Sequence, residues 1–205
     1  MCFPPNARAE ELNNAGERRY VLEGYLFPDT YDIYADSMPE EILDKMLTRY
    51  YEVYKGEWVS RAEELDMTRD QVMTLASIIE REASDPEDFY KVSAVFHNRL
   101  NAGMKLESCA TLNYITGQDR LVFTENEMSI VSSYNTYLNA GLPIGPISNP
   151  GAAAIQAALY PNEEYLEEGY LFFCNANPQE TRSLVFSKTY EEHQENVARY
   201  KQYWN

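Results

Sequence analysis

Between positions 69 and 83 the chain reads RDQVMTLASIIEREA, and its apolar residues recur at helical rather than alternating spacing. At about 100° per residue, Val72, Met73, Leu75, Ala76, Ile78, Ile79 and Ala83 sweep more than half of a helical wheel. That spacing predicts a mostly buried helix. Thr68 would be its N-cap, and Asp70 in the first turn suits the helix dipole. Two glutamates interrupt the apolar face. Glu80 falls between Ala76 and Met73 on one shoulder of the arc and Glu82 between Leu75 and Ile78 on the other, while Arg81 points away. A carboxylate in such a setting loses water, which raises its pKa toward neutrality and keeps a proton available for donation, as a general acid requires. The plainer alternative is a head group bent into water or paired with Arg81 or Arg99. The wheel does not choose between the two glutamates.

Other elements follow from similar patterns. Residues 1–16 read as a loop and a short helix, and the aromatic-rich stretch 21–34, broken at Pro28-Asp29, as extended structure with a turn. Residues 39–65 have helical spacing, bent or divided near Gly56. Asp85-Pro86 starts a helix that runs to about Ala102, with Val92, Val95, Phe96 and Leu100 on one face and Gly103 after its end. Residues 104–117 are a loop with a short helix near the end, and Thr124 with Glu127 fits a capping box. Three prolines and three glycines make residues 134–151 irregular, although their apolar and aromatic content favours order. A small-residue helix over 151–159, a hairpin from 169–175 and 184–187, and a final helix over 189–203 complete the chain. The expected class is α+β, a mainly helical single domain over residues 1–205 with a few short strands, including a C-terminal hairpin.

Composition narrows the chemistry. A formal charge of −16 over 205 residues argues against binding nucleic acid or an anionic bilayer. No apolar run is long enough to span a membrane, and no signal peptide opens the sequence. Seventeen Tyr, eight Phe and two Trp offer faces on which sugars stack, although most such rings serve packing. Cys2, Cys109 and Cys174 form neither a disulfide framework nor a zinc spacing, so no metal and no cofactor is expected.

Six blocks then occur in order: LEGYLFPDTY (22–31), LASIIEREA (75–83), VFHNRLNAGMKLES (95–108), YNTYLNAGLPIGPISNPG (134–151), YLFFCN (170–175) and FSKTYEEH (186–193). Across nearly the whole chain they resemble the catalytic domain of the YceG-like (MltG-type) endolytic murein transglycosylases. The resemblance implies internal cleavage of peptidoglycan glycan strands at the β-1,4 bond after N-acetylmuramic acid. The products would be 1,6-anhydro ends, and the cellular role would be to terminate nascent strands. It nominates the first glutamate of its block, Glu80, as catalytic, and leaves Glu82 a supporting role behind it. Tyr134, Asn135, Thr136 and Tyr137, with Glu107 and Asn149, are the substrate-binding candidates, since amides and hydroxyls match acetamido and hydroxyl groups and Tyr supplies a stacking face. For Asn135 and Asn149 the alternative is capping of the loop's own backbone. For Asn98 and Arg99 the two readings are a place facing the site and a tie between two helices, the second favoured.

The family pattern also implies a membrane-anchoring N-terminal helix and a LysM-like domain, neither present in this sequence. The expectation is therefore a soluble fragment of a protein that acts on the extracytoplasmic face of the cell membrane, with peptidoglycan synthases as partners. Departures from the pattern are Cys109-Ala110 in place of Asp-Pro, Glu107 at a usual Gln, and Ile144 at a usual Pro. Two rival readings are a non-catalytic peptidoglycan-binding module and a Cys109/His97 cell-wall amidase, the latter disfavoured by Glu107 beside the thiol. An aminodeoxychorismate lyase, a label sometimes given to relatives, would need a pyridoxal-phosphate lysine motif that the chain lacks.

Overall fold

The computed structural model describes residues 17–177 and 183–204, so the helix expected within residues 1–16 lies outside the described residues. Pro39 sits in the first turn of α1 (Pro39–Val53), where its missing N–H costs no hydrogen bond. The chain breaks at Gly56, whose φ of +57° suits glycine, and restarts as α2 (Glu57–Glu64). Thr68 then caps α3 (Arg69–Glu82). Its Oγ1 accepts the Gln71 N–H at 3.2 Å while Gln71 Oε1 accepts the Thr68 N–H at 2.8 Å, a complete capping box. Residues 72–79 are all buried, including Thr74 and Ser77, so α3 is enclosed more fully than its apolar arc predicts. Ser77 is satisfied there: its Oγ donates to Thr74 O at 2.7 Å and accepts from Ile147 N–H at 3.0 Å.

At Ala83 the backbone turns extended, and Asp85 Oδ1 accepts the Glu87 N–H at 2.9 Å to open α4 (Pro86–Asn101). The remaining helices are α5 (Cys109–Thr116), α6 (Glu125–Met128) with its expected capping box at Thr124, α7 (Ala152–Leu159) and α8 (Glu163–Glu167). Strands β1 (Phe172–Asn175) and β2 (Leu184–Ser187) form an antiparallel hairpin in which Phe172 faces Ser187 and Asn175 faces Leu184. Helix α9 (Tyr190–Tyr200) follows and lies against both strands. The class is mainly helical α+β, as expected.

α3 is the centre of this arrangement. Its largest contact is with α7, whose Ala154, Ala157 and Ala158 are fully buried and let the two helices approach closely; α4, α5 and α2 cover other sides. The stretch 21–34 contains turns and irregular backbone but no strand. Among the contacts that order it, Asn149 Oδ1 accepts the N–H groups of both Gly24 (2.8 Å) and Leu26 (3.2 Å), and Arg49 Nε donates to Asp29 Oδ2 (2.7 Å). Gly24 has φ +91°, and a Cβ on it would lie 2.4 Å from Pro146 Cγ. Gly24→Ala is therefore expected to lower stability by about 2 kcal/mol or more through backbone strain and overlap. Urea denaturation measures this, and a loss below about 0.5 kcal/mol would show that the segment yields freely.

Candidate active site

The last turn of α3 carries both glutamates, and they meet different parts of the protein. The Glu82 carboxylate accepts the Ser108 hydroxyl, and the Ala110 N–H lies 3.4 Å from the same oxygen. It therefore faces the first turn of α5, where unpaired N–H groups favour negative charge. Burial nevertheless pushes its pKa up, and the bonds from Ser108 and Ala110 pull it back only in part. Such a group holds its proton more tightly than an exposed carboxyl does, and two donors stand beside the carboxylate left when the proton departs. Glu80 instead points to the start of α7, where its Oε2 accepts the Gly151 N–H at 3.1 Å. That bond fastens the end of α3 to the beginning of α7.

Glu82 opens onto a cavity of about 300 Å³ that is also lined by Arg99, Glu107, Ser108, Cys109 and Tyr137. Its other wall comes from the C-terminal part of the chain: Phe173 and Asn175 of β1, His193 and Val197 of α9, and Trp204. Trp204 is fixed by donation from its Nε1 to Asn175 O at 2.9 Å. Glu80 is not among the lining residues.

Of the six substrate-binding candidates, Glu107 and Tyr137 line this cavity. Glu107 sits at φ +48° with its Oε2 3.1 Å from Arg99 Nη1. The Tyr137 hydroxyl lies 3.2 Å from Cys109 Sγ, and burial keeps it protonated far above the ordinary phenol range. Tyr134, Asn135 and Thr136 do not line it. Asn135 is wholly buried, donating to Met128 O (3.0 Å) and Ile130 O (2.7 Å) and accepting the Tyr137 N–H (2.9 Å). An amide so occupied has nothing left for a sugar. Thr136 Oγ1 accepts the Ser108 N–H at 3.0 Å and meets Thr111 Oγ1 at 2.9 Å. Tyr134 is buried against Tyr114, with ring centroids 4.8 Å apart. These residues shape the site at one remove, Asn135 by holding Tyr137 and Thr136 by holding Ser108. Asn149, occupied by Gly24 and Leu26, faces a different cleft.

Asn98 ties α4 to α8, whereas Arg99 reaches the loop before α5 and the residue before β1. Asn98 Nδ2 donates to Tyr165 O and Tyr170 O, and Arg99 donates to the carbonyls of Leu171 (2.6 Å), Lys105 (3.0 Å) and Leu106 (3.1 Å). Sequence reasoning missed Ser108, His193 and Trp204 as lining residues. Ser108 and His193 each end one of the matched blocks, which was a signal; nothing in the pattern marks Trp204.

The paired thiol and imidazole of an amidase do not form. His97 Nε2 lies 2.8 Å from Ala158 O in the α4–α7 interface, whereas Cys109 meets Tyr137 and Leu121 O. Burial pushes the Cys109 thiol up to about 11, so it stays protonated and unreactive. Among the described residues no helix is long and apolar enough to cross a membrane.

The model of the YceG-like family matches residues 5–199, and the chain belongs to that family. It is 36% identical over 204 residues to an endolytic murein transglycosylase of Bacillus subtilis, covering 97% of this chain and 52% of that protein. It is 32% identical over 208 residues to one of Streptococcus pneumoniae serotype 2, covering 96% of this chain and 35% of that protein. The crystal structure of a yceG-like protein of Listeria monocytogenes matches with a TM-score of 0.78 and 34% identity, over 91% of this chain and 57% of that one. The chain thus spans about half the length of the Bacillus relative and about a third of the Streptococcus one.

Proposed function

We propose that this chain is the catalytic domain of an endolytic peptidoglycan transglycosylase, with Glu82 serving first as general acid and then as general base. The observation that carries this reading is the Glu82 carboxyl, raised by burial, opening onto a cavity that also presents Glu107, Ser108 and Tyr137. The names of the Bacillus and Streptococcus relatives support the substrate class. Glu80, the residue nominated by the family pattern, accepts one N–H at its Oε2 and stands as the alternative acid.

In the first half of the reaction, protonated Glu82 donates to the glycosidic oxygen as the bond from C1 of muramic acid breaks. The resulting carboxylate is received by Ser108 Oγ–H and Ala110 N–H. In the second half it takes the proton of the 6-hydroxyl of the same sugar while O6 bonds to C1, giving a 1,6-anhydro end and restoring the acid. A hydrolase would need a second carboxylate to activate water or to attack C1. Here the nucleophile is already tethered, and effective molarities for such attack reach roughly 10⁵ M or more. Glu107 and Tyr137 are placed to bond hydroxyl and acetamido groups of the bound strand. In the longer protein, acting outside the cell membrane beside peptidoglycan synthases, this cut would end the growth of a nascent strand.

Mass spectrometry of purified glycan strands after incubation with the protein tests the proposal. Anhydro-terminated internal fragments are expected. Reducing-end fragments would show hydrolysis instead, and strand binding without any fragment would leave a non-catalytic wall-binding module.

A further inference from the structure

The loop before α1 runs beside the outward face of that helix and leaves a groove of about 450 Å³ between the two. Of the fifteen residues of α1 Tyr50 alone is buried, and Glu41, Asp44, Lys45, Arg49 and Glu52 recur at helical spacing along the groove. The loop adds Asp29 and Asp32 to the same lining. Three exposed apolar side chains stand at one end: Ile33 (54% exposed), Tyr34 (78%) and Met38 (60%). They are continuous with the groove, since Lys45 Nζ lies 6.0 Å from the Tyr34 ring centroid and the Met38 N–H donates to Glu41 Oε2 at 3.0 Å. Polar ties hold the loop that carries them. Lys45 Nζ donates to Asp32 O, Arg49 Nε to Asp29 Oδ2 at 2.7 Å, and the Ser37 N–H to Tyr34 O at 3.1 Å. A fastened loop that turns three large apolar side chains to water marks a contact surface.

The surrounding charge is one-sided. Residues 29–52 hold seven carboxylates against two cations. Both cations are committed, Lys45 to Asp32 O and Arg49 to Asp29 and Glu52. Asp32, Asp36, Glu40 and Asp44 have no ion pair or side-chain hydrogen bond to another described residue.

We propose that this groove and the apolar group at its end dock a basic amphipathic helix of another protein. Lysine or arginine side chains of the partner meet the unpaired carboxylates, while its apolar face covers Ile33, Tyr34 and Met38. Helix α1 lines the groove from Glu41 to Glu52, about 16 Å at 1.5 Å per residue, which about three turns of a partner helix span. A second copy of this chain does not suit the surface, because like charges would face each other and each chain carries −16. Nucleic acid and anionic lipid are disfavoured by the same sign. The inference goes beyond strand cleavage and holds whichever glutamate of α3 donates the proton.

The probe is a synthetic amphipathic helical peptide of lysine and leucine, with a glutamate–leucine peptide of the same pattern as control. The lysine peptide should bind and protect α1 and the loop before it from amide hydrogen exchange, and the glutamate peptide should not. Asp32→Asn/Asp44→Asn should weaken binding about tenfold and flatten its salt dependence. Tyr34→Ser/Met38→Ser should weaken it about tenfold with the salt dependence kept, as loss of an aromatic anchor does. All four residues are exposed, so both variants should fold as the parent does. Protection spread over the whole surface, or binding that neither pair of substitutions weakens, would overturn the inference, since net charge alone would then account for it. Affinity for glycan strands should be the same in the parent and both variants. A loss of strand affinity in the variants would assign the groove to the polysaccharide and overturn the inference as well.

Discussion

Glu82→Gln is expected to reduce strand cleavage by about 10²- to 10⁴-fold with the fold intact, because an amide cannot donate the proton that the leaving oxygen needs. Glu80→Gln is expected to cost less than about tenfold, since its side-chain carbonyl still accepts the Gly151 N–H. Stability provides a control. The Glu82 pKa is raised in the folded protein, so the native state holds this proton more tightly than the unfolded chain. The associated stability is fully present below the ordinary carboxyl range and is lost as pH rises through the raised value. Glu82→Gln should therefore be at least as stable as the parent at pH 8, with the margin narrowing as the pH falls. Activity of the parent should decline over the same rise in pH as the acid loses its proton. Thermal melts and initial rates across pH measure both. An inactive Glu80→Gln beside an active Glu82→Gln would return the role to Glu80.

The second large effect concerns Arg99. Its guanidinium satisfies the carbonyls of Leu171, Lys105 and Leu106, pairs with Glu107, and lies 5.1 Å from the Phe172 ring centroid, so one side chain joins α4, β1 and the loop that carries Ser108. Arg99→Met would leave three carbonyls and a carboxylate without this partner. A loss of about 3–5 kcal/mol is expected, and at this chain length about 2–4 °C in Tm for each kcal/mol. Arg99→Lys should rescue little, because a single ammonium cannot span partners that the planar fork reaches together. A loss under about 1 kcal/mol in Arg99→Met would show that the loop is anchored elsewhere.

Local chemistry made much of the architecture legible. The Thr68 capping box, the break at Gly56, the Asp85-Pro86 start and the hairpin all arise from neighbouring residues, and each is found where the pattern predicts it. The site was less legible because its geometry depends on distant partners. On a wheel the two glutamates occupy equivalent shoulders; they differ because one meets α5 and the other α7. The YNTY block illustrates the same limit. Its residues are polar enough to suggest sugar contact, yet Asn135 and Thr136 are spent on the loop and on Ser108, while Tyr137 alone of the four reaches the cavity. Residues 21–34 show the expected turn but no strand, and the Asn149 amide takes two N–H groups that a strand partner would have used.

Trp204 and Glu82 lie on facing walls of one small chamber although most of the sequence separates them. Closing such a chamber requires a contact between far-apart stretches of chain, which is entropically expensive and comes late as a polypeptide collapses. A chain in which only the first helices have assembled would carry the acid but no enclosure to seat a polysaccharide. Under the proposed reaction, strand cleavage is thereby withheld from partly folded molecules.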